Sequence, residues 1–322
     1  MNDVSVNREN TPESAPQAVT SSSTSSPEFS AASQPSYART LFFGSQGLRP
    51  GWGFACYVLA FWLLRRLTDS WVTAWVHGSP RMSLRVSEAL FEFAGLVAAA
   101  VPAVILMRVE KRPWAAYGLP LRRAFGKVFW LGALWGFLGI SVLIFSLYGL
   151  HDFTFGPIVL HGARVMKFAA YWAVMFLLVG LFEEFLFRGY TQFTLTRGIG
   201  FWPAAIILST SFGLVHLGNE GELWTGALAA ASIALFFCLT LRRTGSLWFA
   251  VGFHAAWDWG ESFFYSVPDS GLPAPGHLLN SSLHGAVWLT GGSVGPEGSV
   301  LCFVVIALFW IGFDRVYPMN IA

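Results

Sequence analysis

Charge is scarce in this sequence. Asp, Glu, Lys and Arg make up 12% of the 322 residues, while 54% are hydrophobic and the net charge is +2. An ordinary soluble domain carries about 25% charged residues, so this chain has too little charge to cover a globule of its size with a hydrated surface. The composition argues against a soluble enzyme, a nucleic-acid-binding protein or a disordered chain. It predicts a polytopic protein with the lipid bilayer as its solvent and no nucleic-acid partner.

Cysteine and several hydrolase signatures are also scarce or missing. The three cysteines, Cys56, Cys238 and Cys302, are widely spaced in apolar runs, so they predict buried packing rather than disulfides or a Cys/His metal site. Neither HExxH nor GxGD occurs. The GxSxG match at residues 291–295 lies in a Gly-rich stretch without a preceding strand, which does not fit a nucleophile elbow.

The first residues form a separate region. Residues 1–38 are rich in Ser, Thr, Pro and Ala. Such a segment cannot bury enough apolar area to offset the entropy lost on ordering, so we predict a disordered tail over 1–38 and a membrane domain over 39–322. The tail lacks the basic start and apolar core of a signal peptide.

Apolar stretches then follow one another along the chain. A membrane-spanning helix needs about 20 mostly apolar residues, and some stretches reach this length only with flanking weakly polar residues. The predicted fold is an all-α transmembrane bundle of about eight helices, at Gly51–Leu64, Glu88–Met107, Val128–Leu150, Phe168–Arg188, Gly198–Leu217, Leu223–Leu241, Thr244–Gly260 and Val300–Phe313.

The basic residues predict an orientation in the cytoplasmic (inner) membrane. Arg and Lys crowd the loop between the second and third predicted helices, and Arg242 and Arg243 follow the sixth, whereas the long loop after the seventh has none. By the positive-inside rule, both termini are cytoplasmic. The first loop opposes this orientation, because its arginines fall on the predicted outside.

Ionisable residues inside membrane helices are costly and therefore indicate function. Glu184 and Arg188 lie one helical turn apart and can pair, while Glu183 points elsewhere and is free to face a cavity. The alternative is a helix end whose charges lie in the headgroup zone. Glu88 and Glu92, one turn apart in the second predicted helix, are expected at the membrane interface.

Two further helices carry polar pairs. Phe212 and His216 share one face of the fifth, and His254 and Asp258 share one face of the seventh, where a hydrogen bond can fix the imidazole tautomer. Taken alone, His216 is better explained by an interfacial or packing role, and the second pair is explained equally well by polar packing between helices. Together with the acids, they supply a carboxylate to take a proton from water, imidazoles to share it and donors for an oxyanion. This inventory indicates a hydrolytic site.

The order of these motifs, EExxxR, then FxxxH, then HxxxN/D, resembles the CPBP or Abi family of type II CAAX prenyl proteases and bacteriocin-processing intramembrane proteases. The segments FRGY and TGSLWFAVGFHA are similar too, and the resemblance covers Phe168 to Gly260. It implies an all-helical intramembrane endopeptidase that acts on a peptide or protein tail. The residues to which it gives catalytic roles are Glu183, Glu184, Arg188, His216, His254 and Asp258.

The resemblance also implies what these residues do. Glu183 would activate water with help from His216, Glu184 and Arg188 would hold the helix, and the third motif would bind the oxyanion or the substrate. That motif commonly ends in Asn in the family. An ionised Asp258 cannot donate a hydrogen bond, so it would be protonated, bind a metal or orient its histidine.

The cofactor and the class of protein stay open at this point. Glu183, His216 and His254 form a His₂Glu set like that of catalytic zinc sites, whereas a metal-free glutamate mechanism also fits the family. Zn²⁺ is therefore one of two alternatives. A non-enzymatic membrane protein, either a bacteriocin-immunity or partner-binding factor or a proton-coupled transporter, is the alternative to a protease. The sequence predicts no oligomeric state.

A shared catalytic water imposes a geometric condition. Glu183 and His216 must come within about 8 Å of each other to reach one water. A fourth helix that ended at Gly189 would leave Glu183 too near the cytoplasmic end. We therefore predict that the fourth helix runs on through Tyr190–Thr196, which moves Glu183 deeper, and that the fifth helix tilts or starts outside the membrane core.

Overall fold

The computed structural model describes residues 37–44, 47–78, 84–219, 221–269 and 276–318. The predicted tail lies outside the described residues, apart from its last two positions. The helices are α1 (Tyr37–Phe42), α2 (Pro50–His77), α3 (Leu84–Val109), α4 (Lys127–Gly149), α5 (Ala163–Arg188), α6 (Tyr190–Ile199), α7 (Phe201–His216), α8 (Trp224–Thr244), α9 (Trp248–Asp258), α10 (Val287–Thr290) and α11 (Val300–Val316).

The architecture is an all-α polytopic bundle, as predicted. Helices occur at all eight positions that the apolar stretches indicate. The described segments that are long and apolar enough to cross a membrane are Val86–Val109, Lys127–Gly149, Ala163–Ile199 and Trp224–Thr244. The protein is therefore a multi-pass membrane protein.

Short strands lie in the loops between the helices. β1 (Phe43–Gly44) pairs antiparallel with β2 (Gly47–Leu48), and β3 (Phe153–Thr154) pairs antiparallel with β4 (Ser282–Leu283). A π-helical segment, Trp259–Tyr265, directly continues α9. Such wide turns inside helices are frequent at functional sites.

Helical structure continues beyond the EExxxR segment with one interruption. α5 ends at Arg188, Gly189 adopts φ −82° and ψ −117°, and α6 resumes at Tyr190. Tyr190–Thr196 are helical, as predicted, but they belong to a second helix rather than to a continuation of the fourth. A Cβ atom at Gly189 would collide with the carbonyl oxygen of Phe185, so glycine is what allows the chain to turn here.

α4 and α9 pack with their backbones nearly in contact. A Cβ atom at Gly132 or Gly136 would collide with the carbonyl oxygens of Phe249 or Phe253 in α9. Small residues four positions apart let membrane helices approach this closely. The packing fixes the position of α9, which carries the HxxxD motif.

An aromatic layer supports α9 from another side. The ring centroids of Phe253 and Phe309 are 5.0 Å apart, and those of Phe249 and Phe313 are 5.1 Å apart. Buried aromatic pairs stabilise a core beyond the area that they bury. Among the cysteines, Cys238 and Cys302 are buried as expected, whereas Cys56 is exposed and the expectation of burial is wrong for it.

Hydrogen bonds tie the loops together at each end of α4. Residues 110–126 join the turn before α9, because Leu247 N donates to Gly118 O at 2.7 Å and Trp248 Nε1 donates to Pro120 O at 3.1 Å. We call this the basic end. At the other end of α4, β3 pairs with β4 of the long segment after α9. We call that the strand end.

Candidate active site

The last turn of α5 holds a buried ion pair. Arg188 Nη1 lies 3.2 Å from Glu184 Oε1, and both side chains have 0% exposure. This is the pairing that their spacing of four residues predicts. Removing either partner would leave the other charge buried and uncompensated, which makes the pair a structural anchor.

Arg188 connects this anchor to the second motif. Its guanidinium carbon lies 4.4 Å from the ring centroid of Phe212 in α7. A guanidinium over an aromatic face is attracted by the ring quadrupole, and more strongly where water is excluded. The phenylalanine of FxxxH therefore packs on the arginine of EExxxR, which holds α7 against α5.

His254 lies between carboxylates from two helices. Its Nδ1 is 3.0 Å from Glu184 Oε1, whereas its Nε2 is 3.7 Å from Glu183 Oε2 and 3.5 Å from Asp258 Oδ2. Only the first distance is that of a hydrogen bond. Glu184, rather than Asp258, therefore orients the ring, and the hydrogen bond that the HxxxD spacing predicts is not formed. Glu184 serves both the arginine and the histidine.

His216 is oriented by its own helix. Its Nδ1 lies 2.8 Å from the carbonyl oxygen of Phe212. Because a carbonyl oxygen only accepts hydrogen bonds, Nδ1 carries the proton and donates it. In the neutral ring, Nε2 is then an acceptor.

The predicted residues meet at one cavity. It has a volume of about 440 Å³, and Glu183, His216, His254 and Asp258 are in its lining. The side chain of Glu183 is 25% exposed, in contrast to the fully buried Glu184. The two adjacent acids thus face different surroundings, and the volume falls in the range of small-ligand clefts.

The cavity contains acids that the sequence interpretation missed. Glu88 and Glu92 of α3 line it together with the motif residues, a contact that the expectation of an interfacial pair did not include. Their signal, a pair of acids in an apolar helix, was visible but was not connected to the site. Glu222, between α7 and α8, also lines the cavity, and burial raises its pKa.

The His₂Glu set does not fit a zinc ion as arranged. Zinc ligands lie about 2.0–2.2 Å from the metal, so their donor atoms are close together. Within the described ranges, the set whose donor atoms all lie within 4.8 Å of one another is instead Asp258, Asp269 and Glu297. The hydrogen bond from His254 Nδ1 to Glu184 leaves Nε2 as the nitrogen that faces Glu183, at 3.7 Å from its Oε2. The arrangement of donor atoms therefore gives no support to zinc at Glu183, His216 and His254.

Comparison with known proteins agrees with these motifs. Residues 164–260 match the family model of the type II CAAX prenyl endopeptidase Rce1-like proteins. The matched segment begins in α5, ends in the π-helical segment and contains all six residues of the three motifs. No curated protein matches the chain.

Proposed function

We propose that this chain, whose residues 164–260 match the family model of the Rce1-like type II CAAX prenyl endopeptidases, is an intramembrane endopeptidase that cleaves a peptide or protein tail. The observation that carries the proposal is the convergence of Glu183, His216 and His254 on one cavity, next to a buried Glu184–Arg188 pair. Acid, base and hydrogen-bond donors from three helices thus meet in one cavity.

Glu183 is the general base in this proposal. It takes a proton from a water molecule whose other hydrogen is accepted by His216 Nε2, the acceptor left by the bond from Nδ1 to Phe212. The water oxygen attacks the scissile carbonyl carbon. Glu183 then passes the proton to the departing nitrogen as the C–N bond breaks, which leaves a carboxylic acid and an amine.

His254 stabilises the oxyanion in this proposal. Its Nδ1 donates to Glu184 at 3.0 Å, so the orientation of the ring is fixed before substrate binds. In its protonated form, Nε2–H faces the cavity side of the ring, near Glu183. A preorganised donor at this position lowers the energy of the developing negative charge.

Replacement of Glu183 tests the proposed function. Glu183→Gln keeps the shape of the side chain but cannot take a proton, so we expect at least a 100-fold loss of cleavage. The measurement compares the peptide termini in membranes that contain the wild type, Glu183→Gln or the control Asp314→Asn. Asp314 is paired with Arg243 and has a side chain that is 62% exposed.

The expected result is a set of termini present with the wild type and Asp314→Asn and absent with folded Glu183→Gln. The same termini in all three membranes would contradict the proposal. Loss of substrate transport in Glu183→Gln, without any change in termini, would favour the proton-coupled transporter instead.

A further inference from the structure

Three carboxylates converge beside the proposed catalytic residues. Asp258 ends α9, Asp269 follows the π-helical segment, and Glu297 lies in a short turn before α11. One oxygen atom of each lies within 4.8 Å of those of the other two. All three residues line the cavity, so water and ions can reach them.

The surrounding chain aims these carboxylates. Ser262 Oγ donates to Asp269 Oδ2 at 3.0 Å, and Trp257 Nε1 donates to Glu297 Oε1 at 3.1 Å. Donors at these distances favour the ionised, accepting form of a carboxylate. Burial opposes this by raising the pKa of Asp269, so the hydrogen bonds establish the orientation of Asp269 and Glu297 rather than their charge.

The Gly-rich segment that resembles GxSxG has a structural task here. Gly295 has φ 107°, which L side chains rarely adopt, and a Cβ atom there would collide with the carbonyl oxygen of Pro268. This close approach brings the turn with Glu297 against the residue that precedes Asp269. The segment builds the cluster rather than a serine nucleophile.

Glu261 gives a second, independent indication. Its side chain has 0% exposure, and neither carboxylate oxygen has a hydrogen-bond partner within the described part of the chain. It interacts electrostatically with all three clustered carboxylates, and its Oε1 would lie 3.2 Å from a Cβ atom at Gly295. A buried acid beside three others either keeps a proton or is compensated by a positive charge.

We propose that Asp258, Asp269 and Glu297 bind a divalent hard cation of the Ca²⁺ type, with the buried Glu261 adding negative charge. Neither Asp269 nor Glu261 forms a salt bridge with another described residue. Oxygen-only donors suit Ca²⁺ and Mg²⁺ rather than zinc. Two oxygens bound to one Ca²⁺ at about 2.3–2.6 Å can lie up to roughly 5 Å apart, which covers the observed separation.

The cation has a structural consequence for the cavity. It links the end of α9 to the segments that carry Asp269 and Glu297. It also neutralises Asp258, which lies 3.5 Å from His254 Nε2. This gives the aspartate, where the family commonly has asparagine, a role that asparagine would fill less well. The site does not depend on the proposed peptidase activity, because binding is measurable without a substrate.

Terbium luminescence tests the site in the full-length protein in detergent. Tb³⁺ replaces Ca²⁺ at oxygen sites and is sensitised by tryptophan, and Trp257 contacts the ligand Glu297 directly. We expect saturable Tb³⁺ emission that Ca²⁺ displaces. Asp269→Asn and Glu297→Gln should weaken it at least 10-fold, whereas Asp314→Asn should bind as the wild type does. Displacement of Tb³⁺ by Mg²⁺ but not by Ca²⁺ would identify Mg²⁺ as the preferred ion.

The shift of the unfolding midpoint by Ca²⁺ provides a second readout. Ser262→Ala removes only the donor to Asp269, so it retains the ligands if the acidic variants do not fold. We expect Ca²⁺ to raise the wild-type midpoint and to raise that of Ser262→Ala less. The proposal would be overturned if Ca²⁺ neither displaced Tb³⁺ from the wild type nor raised its unfolding midpoint. Wild-type affinity of Asp269→Asn for Tb³⁺ would also overturn it. Acidic variants that are more stable than a cation-insensitive wild type would identify a protonated cluster instead.

Discussion

Glu183 and Glu184 are adjacent in the chain, yet their surroundings differ. Glu184 is fully buried and is shared by Arg188 and His254, at 3.2 and 3.0 Å. Glu183 faces the cavity, and its distance to His254 Nε2 is 3.7 Å. Mutation of Glu184 should therefore affect folding, whereas mutation of Glu183 should affect the chemistry.

Replacement of Arg188 should show the structural role. Arg188→Ala leaves Glu184 buried without its ion-pair partner, which costs about 3–5 kcal/mol. We expect a large loss of folded protein, measured by thermal unfolding in detergent. Glu183→Ala is the matched control from the same helix turn, and its midpoint should stay close to that of the wild type. An Arg188→Ala protein that is fully stable but inactive would place Arg188 in the chemistry.

The residues that sequence could predict are those on helices. A spacing of four residues puts Glu184 beside Arg188 and His254 beside Asp258, and the convergence of three such pairs follows from the cost of exposing them to lipid. Asp269 and Glu297 lie outside regular helices, where no period applies. Their convergence depends on the close approach of Gly295 to Pro268, which no local pattern reveals.

At the scale of helices, the contact between α4 and α9 determines where His254 lies. A Cβ atom at Gly132 would collide with the backbone of Phe249. Gly132→Ala should therefore force α9 away and destabilise the protein by about 1–3 kcal/mol, as overpacking does. Gly149→Ala is the control in the same helix, because nothing lies within 4 Å of its Cβ position.

Thermal unfolding and cleavage assays of the two alanine variants check this prediction. We expect Gly132→Ala to lose both stability and activity, since the misplaced α9 carries the histidine to which we assign oxyanion stabilisation. Gly149→Ala should match the wild type in both. Equal stability of the two variants would show that α4 does not set the position of α9.

A second polar contact joins α3 to α6. Glu110 follows α3, its side chain is 1% exposed, and it accepts hydrogen bonds from Tyr117 at 2.9 Å, Tyr190 at 2.8 Å and Arg197 at 3.0 Å. A buried carboxylate with three donors is well compensated. This contact holds α6 after the interruption at Gly189.

Loss of one donor should weaken this contact measurably. Tyr190→Phe removes the hydrogen bond to Glu110 Oε1 and should cost about 1–3 kcal/mol, because a buried acceptor is left with fewer partners. Tyr148→Phe, at a tyrosine with 51% exposure, is the control and should stay within about 0.5 kcal/mol of the wild type. Indistinguishable unfolding midpoints for the two variants would argue against the contact.

The helices were the most predictable elements, and their interruptions were the least. Apolar runs of spanning length leave few alternatives to a helix in lipid, so all eight positions were found. The separate α6 was missed because Gly189 alone turns the chain there, through a contact with Phe185 that is visible only in the fold.

At the scale of the whole molecule, the cavity lies towards the strand end. α4 runs from the basic end to β3, and α9 runs from the turn tied to Gly118 towards Asp269 and β4. A Cβ atom at Gly221, beside the cavity residue Glu222, would lie 2.8 Å from Ser293 Oγ in the segment that carries Glu297. Acids of the cavity thus gather on the side away from Lys111, Arg122 and the other basic residues of the loop after α3.

This arrangement turns the positive-inside rule into a prediction about where the cavity opens. If the basic end is cytoplasmic, the cavity faces the opposite side of the membrane. Thiol labelling tests this with Ser282→Cys in β4 and Arg122→Cys at the basic end. Both variants are made in a Cys56→Ser background, because Cys56 is exposed whereas the other two native cysteines are buried. A membrane-impermeant reagent applied to intact cells with an accessible cytoplasmic membrane should label Ser282→Cys and should reach Arg122→Cys only after permeabilisation. The reverse labelling would place the cavity and its substrate on the cytoplasmic side, because the pairing of β3 with β4 keeps Ser282 at the end of the molecule where the cavity acids lie.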